Sequence, residues 1–403
     1  MSGEVPEGWR RAALGELCHI AIGGTPSRAK PEYWAADGNG HPWVAISDMR
    51  EAVIRRTKER ITEAGVANSN VKHVASGTVL MSFKLTIGRV AIAGADLFTN
   101  EAIAAFLPIE GLDKSFLPYW LAHIVANADT DQAIKGATLN KKKLAALSGD
   151  LPPLDEQRRI AEVLRSVDEA IVAKSLVVEQ TRTVLSKARD ALLQAETSGI
   201  GQMHEGWRLA TLGEVSLGKG EYGANVSKRD FDAMLPRYVR ITDIANDGEL
   251  IATSLASITL EDAAGYMLED GDLVFARSGA TVGKTFLYDP RYGPCAYAGY
   301  LIRFKIDREK ADPFFVRSAV QTSHYWEWIN TNQRAQAQPN VNAKEYASFP
   351  IALPPLEQQQ EIVETLRSLQ ESANQAKADL DMASTLKGSM LSDLLSGRVR
   401  VPA

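Results

Sequence analysis

The chain is poor in the residue groups on which most catalytic and cofactor chemistry is built. Only two of its 403 residues are cysteine, Cys18 and Cys295. Two thiols cannot carry a disulfide scaffold, and they suit a reducing compartment, so the expected location is cytoplasmic. No CxxC pair is present. The six histidines, His19, His41, His73, His123, His204 and His324, never stand four residues apart as a helical metal site requires. No GxSxG nucleophile elbow occurs. No run of about 18 apolar residues exists, so no membrane span is expected. The opening MSGEVPEGWRRAALGEL lacks the apolar core of a signal peptide. Neither sign of charge dominates: the net charge is −5 and the pI near 5.8. That gives no global attraction to a polyanion, although a cleft needs only local positive potential.

Two partial motifs also fall short. Gly279-Ala280-Thr281-Val282-Gly283-Lys284-Thr285 has three residues between its glycines, where a phosphate-wrapping GxxxxGK[ST] loop needs four. It reads better as a tight turn between strands that presents a cation. Asp289-Pro290-Arg291-Tyr292 resembles an amino-methyltransferase loop but carries Arg291 in place of a second proline. With no glycine-rich cofactor loop to support it, a hairpin turn is the expected structure.

What is present is a repeat. LPPLDEQRRIAEVL, from Leu151, returns as LPPLEQQQEIVETL, from Leu353. Each copy runs from two prolines, which suit the approach to a helix, into a long apolar seam. The first seam is Ile160, Leu164, Val167, Ile171, Val178, Thr181, Leu185, Ala188 and Leu192. The second is Ile362, Leu366, Leu369, Ala373, Ala376, Leu380, Ala383, Met390 and Leu394. A period of 3.5 residues over several heptads signals a coiled coil. About 35 such residues make a rod of roughly 50 Å. Lys174 and Lys387 interrupt the seams, and are expected to snorkel past small residues and help fix register.

The rest of the chain repeats in the same order. Gly8-Trp9-Arg10 matches Gly206-Trp207-Arg208. Trp43–Met49 matches Tyr238–Ile244, and Ser76–Ile92 matches Asp270–Leu287. Such collinearity indicates a head-to-tail duplication. Each half is expected to hold an α+β module with mainly antiparallel strands, followed by one long helix. The expected boundaries are 1–150, 151–200, 201–352 and 353–403. Strands are expected at Val44–Ile46, Thr78–Phe83, Val90–Ala93, Ala102–Leu107, Tyr238–Ile241, Leu273–Ala276, Lys284–Tyr288 and Tyr300–Ile306. Helices are expected at Leu117–Ala126 and Pro313–Ile329.

Basic side chains interleaved with small polar ones suit a phosphate backbone and base edges. The candidates in the first half are Thr25, Ser27 and Arg28 of a GGTPSR loop, Lys84 and Arg89 on the strand turn, and Lys135, Lys141 and Lys142. In the second half they are Arg277, Ser278 and Lys284 on the matching turn, then Arg334, Gln336, Gln338, Asn340 and Lys344. Glutamine, asparagine and arginine can each pair bidentately with a base.

The order GWR…LGE, GGTPS, WVAISDM, SGTVL and LPPLDEQ, followed by a long helix, resembles the specificity subunit of Type I restriction–modification systems across essentially the whole chain, twice. The second copy has Gly218–Gly223 in place of GGTPS. The resemblance implies two target-recognition domains, each reading half of a bipartite double-stranded DNA sequence. The two helices would pack antiparallel as a spacer, in a pseudo-twofold arrangement. The chain itself would be non-catalytic and bind no cofactor. Two modification subunits would bring S-adenosylmethionine, and two restriction subunits ATP and Mg. A Type IIB-like specificity subunit, a protein-binding adaptor and an enzyme of unusual motif remain as alternatives.

Overall fold

Pro152-Pro153 and Pro354-Pro355 lead into the two longest elements, helices Leu154–Leu192 and Leu356–Leu395 of 39 and 40 residues. Asp155 and Glu156 in the first turn of one, and Glu357 in the first turn of the other, complement the helix dipole. The structure, a computed structural model, describes residues 5–36, 38–84, 86–128, 139–193, 204–333 and 339–402. Its contacts divide the chain into two units. The first is Met1–Lys174 with Asp379–Ala403, and the second is Ser175–Ala378. Each unit therefore holds one globular module and a length of both long helices.

In the first unit the two helices run antiparallel. Ile160 and Leu164 of the central helix share a core with Leu394 and Leu395 of the C-terminal one. Lys387 Nζ lies 2.5 Å from Asp168, and Lys174 Nζ lies 3.3 Å from Asp379, so partner numbers fall along one helix as they rise along the other. In the second unit Leu185 joins Val363, Leu366 and Ala373 in a single core. The heptad pattern therefore marks a true seam. The two seam lysines differ from expectation: each meets an aspartate of the opposite helix rather than a small residue.

The modules repeat one sheet plan. In the first unit one sheet has the order Cys18–Ile22, Ile103–Pro108, Val79–Ser82, Val90–Ala93 and Val53–Ile54. A second has the order Glu59–Ile61, His41–Val44, Leu97–Thr99 and His73–Val74. In the second unit the matching sheets are Glu221–Tyr222, Leu301–Lys305, Asp272–Ala276, Thr285–Leu287, and Arg229–Asp230, Ala256–Ser257, Arg237–Val239, Cys295–Tyr297. The pairings are antiparallel except for His41–Val44 with Leu97–Thr99, Val53–Ile54 with Val90–Ala93, and Arg237–Val239 with Cys295–Tyr297. The fold is α+β, as its strand and helix periodicities imply.

The repeated motifs form one clasp, built twice. Strand Arg10–Ala13 pairs with Ser148–Leu151, and Arg208–Thr211 with Pro350–Leu353, so each module's start lies beside the run into its long helix. Trp9 Nε1 donates to Glu156 at 3.0 Å, and Trp207 Nε1 donates to Gln358 at 3.0 Å. One residue further on sits a glutamine that is 1% exposed in both units. Gln157 accepts the Asp113 N–H at 2.8 Å and donates to Gly111 O at 3.0 Å and Pro152 O at 2.9 Å. Gln359 accepts the Asp312 N–H at 2.9 Å and donates to Lys310 O at 3.3 Å and Pro354 O at 2.8 Å. In the first unit Arg400, near the chain's end, adds two bonds to Glu156 at 2.6 and 2.7 Å.

Several local expectations shift, each for a stated reason. The strand at Trp43 stops at Val44, because the Asp48 carboxylate takes the Ala45 N–H at 2.9 Å and winds Ile46–Asp48 into a 3₁₀ turn. Asp243 does the same with the Arg240 N–H at 2.9 Å. The helix expected at Pro313–Ile329 is two helices, Pro313–Ala319 and Ser323–Gln333. Between them, the Thr322 hydroxyl accepts the Tyr325 N–H at 3.2 Å. Asp289–Tyr292 is not a hairpin. Asp289 caps a 3₁₀ turn there, and the chain passes from one sheet to the other. Among the described residues no helix is long and apolar enough to cross a membrane.

Replacing Gln157 by alanine should strand one buried amide and two carbonyls and cost about 2–4 kcal/mol in chemical denaturation. Gln359→Ala should cost about as much, because the bonding pattern is the same.

Candidate nucleic-acid interface

In the second unit the candidate surface grows from the turn after strand Asp272–Ala276. Tyr346 and Tyr325 are wholly buried beneath it. The Tyr346 hydroxyl donates to Ala276 O at 2.8 Å and accepts the Gly283 N–H at 3.1 Å. Tyr325 donates to Gly283 O at 2.8 Å. Burial pushes both phenols well above their ordinary pKa, which keeps them protonated donors. Gly283 sits at φ +88°, and a Cβ there would come within 2.8 Å of Trp326, so both backbone and space demand glycine.

This anchored turn sets Arg277. Its N–H donates to Tyr300 O at 3.0 Å and its carbonyl accepts the Val341 N–H at 2.9 Å. Ser278 bridges Asn340, and the Gly279 N–H donates to Pro339 O at 3.1 Å. The Arg277 guanidinium carbon lies 4.8 Å from the centroid of Tyr222, whose hydroxyl accepts the Ala343 N–H at 3.3 Å. Arg277, Ser278 and Asn340 are thus brought together. Exposed Lys344 follows in helix Ala343–Ala347, whose first turn Asn342 caps. Lys284 is placed differently. Its Nζ turns inward to donate to Ile244 O at 3.1 Å. Arg334, Gln336 and Gln338 lie outside the described residues, as does Lys135.

In the first unit the GGTPSR loop is also fixed from beneath. Trp43 Nε1 donates to Gly24 O at 2.9 Å, and Trp34 Nε1 to Ser27 O at 3.2 Å. Arg28 stacks 3.7 Å from the Trp34 centroid and 5.1 Å from that of Trp43, but its fork is spent on both oxygens of Glu59. Thr25 donates to Glu101. That bond, with the positive charges of Lys84 and Arg28 behind it, holds the Glu101 carboxyl below the usual range. Thr25, Arg28 and Lys84 therefore gather around one carboxylate. Arg89 is exposed, and so are Lys141 and Lys142 on helix Lys141–Ala146, which Asn140 caps.

Backbone bonds give the true register between the units. The Phe83 N–H donates to Ala102 O as Arg277 donates to Tyr300 O, and the Gly88 N–H donates to Ser82 O as Gly283 donates to Ala276 O. Arg89 therefore matches Lys284. Lys142 matches Lys344, two residues after the capping Asn140 and Asn342. Arg277, however, matches Phe83, which is buried at 2% exposure. Residues that hold the candidate surface but were not among the expected ones are Tyr222, Glu59, Glu101 and Trp34. Tyr222 had a signal in its glycine-rich stretch, whereas Glu59 and Glu101 approach their loops from positions distant in sequence. Cys18 and Cys295 offer no nucleophile, since burial pushes their thiols up to about 12 and about 11.

Comparison with known proteins accords with this duplicated architecture. The family described as the Type I restriction modification DNA specificity domain matches residues 6–179 and again 205–380. The MjaIX specificity subunit of a Type I restriction enzyme from Methanocaldococcus jannaschii is 25% identical over 307 residues, covering 70% of this chain and 68% of that protein. The putative MjaX specificity subunit of the same organism is 22% identical over 99% of this chain and 95% of its own length. Among solved structures, the Type I restriction–modification S subunit from M. genitalium superposes with a TM-score of 0.58 at 13% identity, over 98% of this chain and 97% of that one. A chain from a structure describing assembly and conformational transition of the Type I system gives 0.61 at 18% identity, over 98% and 100%. With the domain matched twice over most of its length, the chain belongs to the family of Type I restriction–modification DNA specificity subunits, which are themselves non-catalytic.

Proposed function

We propose that each unit reads one half of a bipartite, asymmetric double-stranded DNA target. One observation carries this reading: two modules share one clasp and one sheet plan yet present different side chains at matched backbone positions. A duplicated frame with diverged polar loops is what two different half-sites require. In the first unit the loop surface centres on Thr25, Ser27, Arg28, Lys84 and Arg89, with Lys141 and Lys142 beside it. In the second it centres on Arg277, Ser278, Asn340 and Lys344, with Lys284 behind. Lys135, Arg334, Gln336 and Gln338, which lie outside the described residues, complete the proposed set.

The chain would act within a larger enzyme. Two modification subunits would bind it and methylate adenine N6 with S-adenosylmethionine. Two restriction subunits would use ATP and Mg for translocation and cleavage, all in the cytoplasm. A methyltransferase must extrude its target base, so readers that grip the duplex on both sides of that point suit the reaction. Linking two weak readers converts the second binding event into an intramolecular one, and makes affinity depend on half-site spacing. The helices Leu154–Leu192 and Leu356–Leu395 are the proposed spacer.

Sequencing of DNA methylated by the complex of this chain with its modification subunits should show one bipartite motif carrying N6-methyladenine on each strand; methylation without such a motif would sink the reading. Inserting about four residues into both helices, at Ala173–Val184 and its partner stretch, should lengthen the spacer in that motif. The same insertion in one helix alone should lower stability and activity. An unchanged spacer after paired insertion would remove the helices from that role.

A further inference from the structure

We infer that Arg277 is a base reader rather than a phosphate contact, and that the base it takes is a guanine in the half-site of the second unit. This rests on the proposed reading of half-sites by the two units and adds the chemistry of one position.

Three features separate Arg277 from its neighbours. The first is fixity. Its N–H and carbonyl are both bonded, to Tyr300 and Val341, and buried Tyr346 and Tyr325 anchor the turn behind it. A phosphate contact needs only charge at the end of a mobile stem, whereas base reading needs a donor fork held in place. The second is stacking. The guanidinium lies 4.8 Å from the centroid of Tyr222, an arrangement that limits the plane of the fork.

The third is vacancy of the fork. Several other arginines of this unit are committed to carboxylates, although Arg189 and Arg237 likewise have a buried, unpartnered Nε. Arg303 bonds Glu221 and Asp272, Arg240 bonds Asp243, and Arg291 and Arg317 share Glu249. Among the described residues Arg277 makes no side-chain hydrogen bond or ion pair, and its Nε is buried with no partner. A half-buried guanidinium without acceptors is costly unless a ligand supplies them. Guanine presents O6 and N7 side by side in the major groove, two acceptors at the spacing of the fork. Adenine places an amino donor where O6 would be. Tyr300, whose carbonyl holds the Arg277 N–H, is itself 61% exposed, so this turn lies at the surface.

The first unit has no equivalent. Its matched residue is buried Phe83, and its own stacked arginine, Arg28, spends its fork on Glu59. The guanine requirement therefore belongs to one half-site only.

The test is to assemble the full chain with its modification subunits and map methylated sites in a random-sequence duplex library. The wild-type complex should require guanine at one position of one half-site. Arg277→Ala and Arg277→Lys should both relax that position alone, with discrimination falling roughly ten- to a hundredfold, and leave the other half-site unchanged. Lys344→Ala, at an exposed lysine, should weaken methylation of all sequences alike. Thermal unfolding of each variant, compared with wild type, separates loss of reading from loss of fold. If Arg277→Lys keeps full discrimination, charge is what matters and the inference is overturned. It is overturned equally if both Arg277 variants lose activity with an unchanged motif, or if no guanine position responds. A wild-type complex that methylates no bipartite site would instead overturn the reading of the two units, and this inference with it.

Discussion

The junction of module and long helix in each unit depends on one buried glutamine. Gln157 and Gln359 each tie the first turn of a long helix to a loop of the preceding module through two bonds, and to the proline run before the helix through a third. A side chain so buried, with donor and acceptor both filled, permits one geometry at the junction of helix and module. The tryptophan next door completes the junction from the opposite strand, and tolerates either a glutamate or a glutamine as its acceptor. That tolerance explains why the two motifs, LPPLDEQ and LPPLEQQ, differ at Glu156 and Gln358 without altering the frame. Glu156 has in addition the guanidinium of Arg400 as a counter-charge, which makes burying a carboxylate there affordable.

With the junction fixed, the outer loops are free to diverge, and they do so by different physical means. In the first unit the loop is closed on itself: Arg28 lies over Trp34 and is neutralised by Glu59, and Thr25 is bound to Glu101. In the second unit the equivalent surface is propped from below by two buried phenols, while its arginine is left open. One surface is thus pre-organised by ion pairs and the other by hydrogen bonds from the core. Since mutual neutralisation removes the charge of Arg28, the proposed phosphate contacts of the first surface are better carried by exposed Arg89, Lys141 and Lys142.

The parts of this design that repeat at a regular period were legible in the sequence. The heptads of both long helices, the strands at Val79–Ser82, Val90–Ala93 and Asp272–Ala276, and the collinear duplication follow from backbone periodicity and burial alone. What was not legible depends on partners distant in sequence. The inward turn of Lys284 is set by Ile244, forty residues away. The aspartates that meet Lys174 and Lys387 come from opposite helices more than two hundred residues apart. The pairing of Phe83 with Arg277 becomes visible only once backbone hydrogen bonds align the two turns. A charged residue in a sequence is a candidate contact. Whether its charge is available is a tertiary property.

That distinction bears on how a chain of net charge −5 can serve a polyanion. Many of its cations are spent internally: Arg182 and Lys377 on Asp247, Arg308 on Asp270, Lys305 on Glu269, Arg28 on Glu59. With acidic residues in excess, the chain as a whole offers no net attraction to phosphate at long range. A reader with a strong backbone attraction would reside on random DNA, because the electrostatic term is indifferent to sequence. A reader whose donors to the base edges are rigidly placed gains little from a wrong site. Low positive charge is then a condition of discrimination: for each half-site the ratio of right to wrong binding rises as the shared, sequence-blind contribution falls.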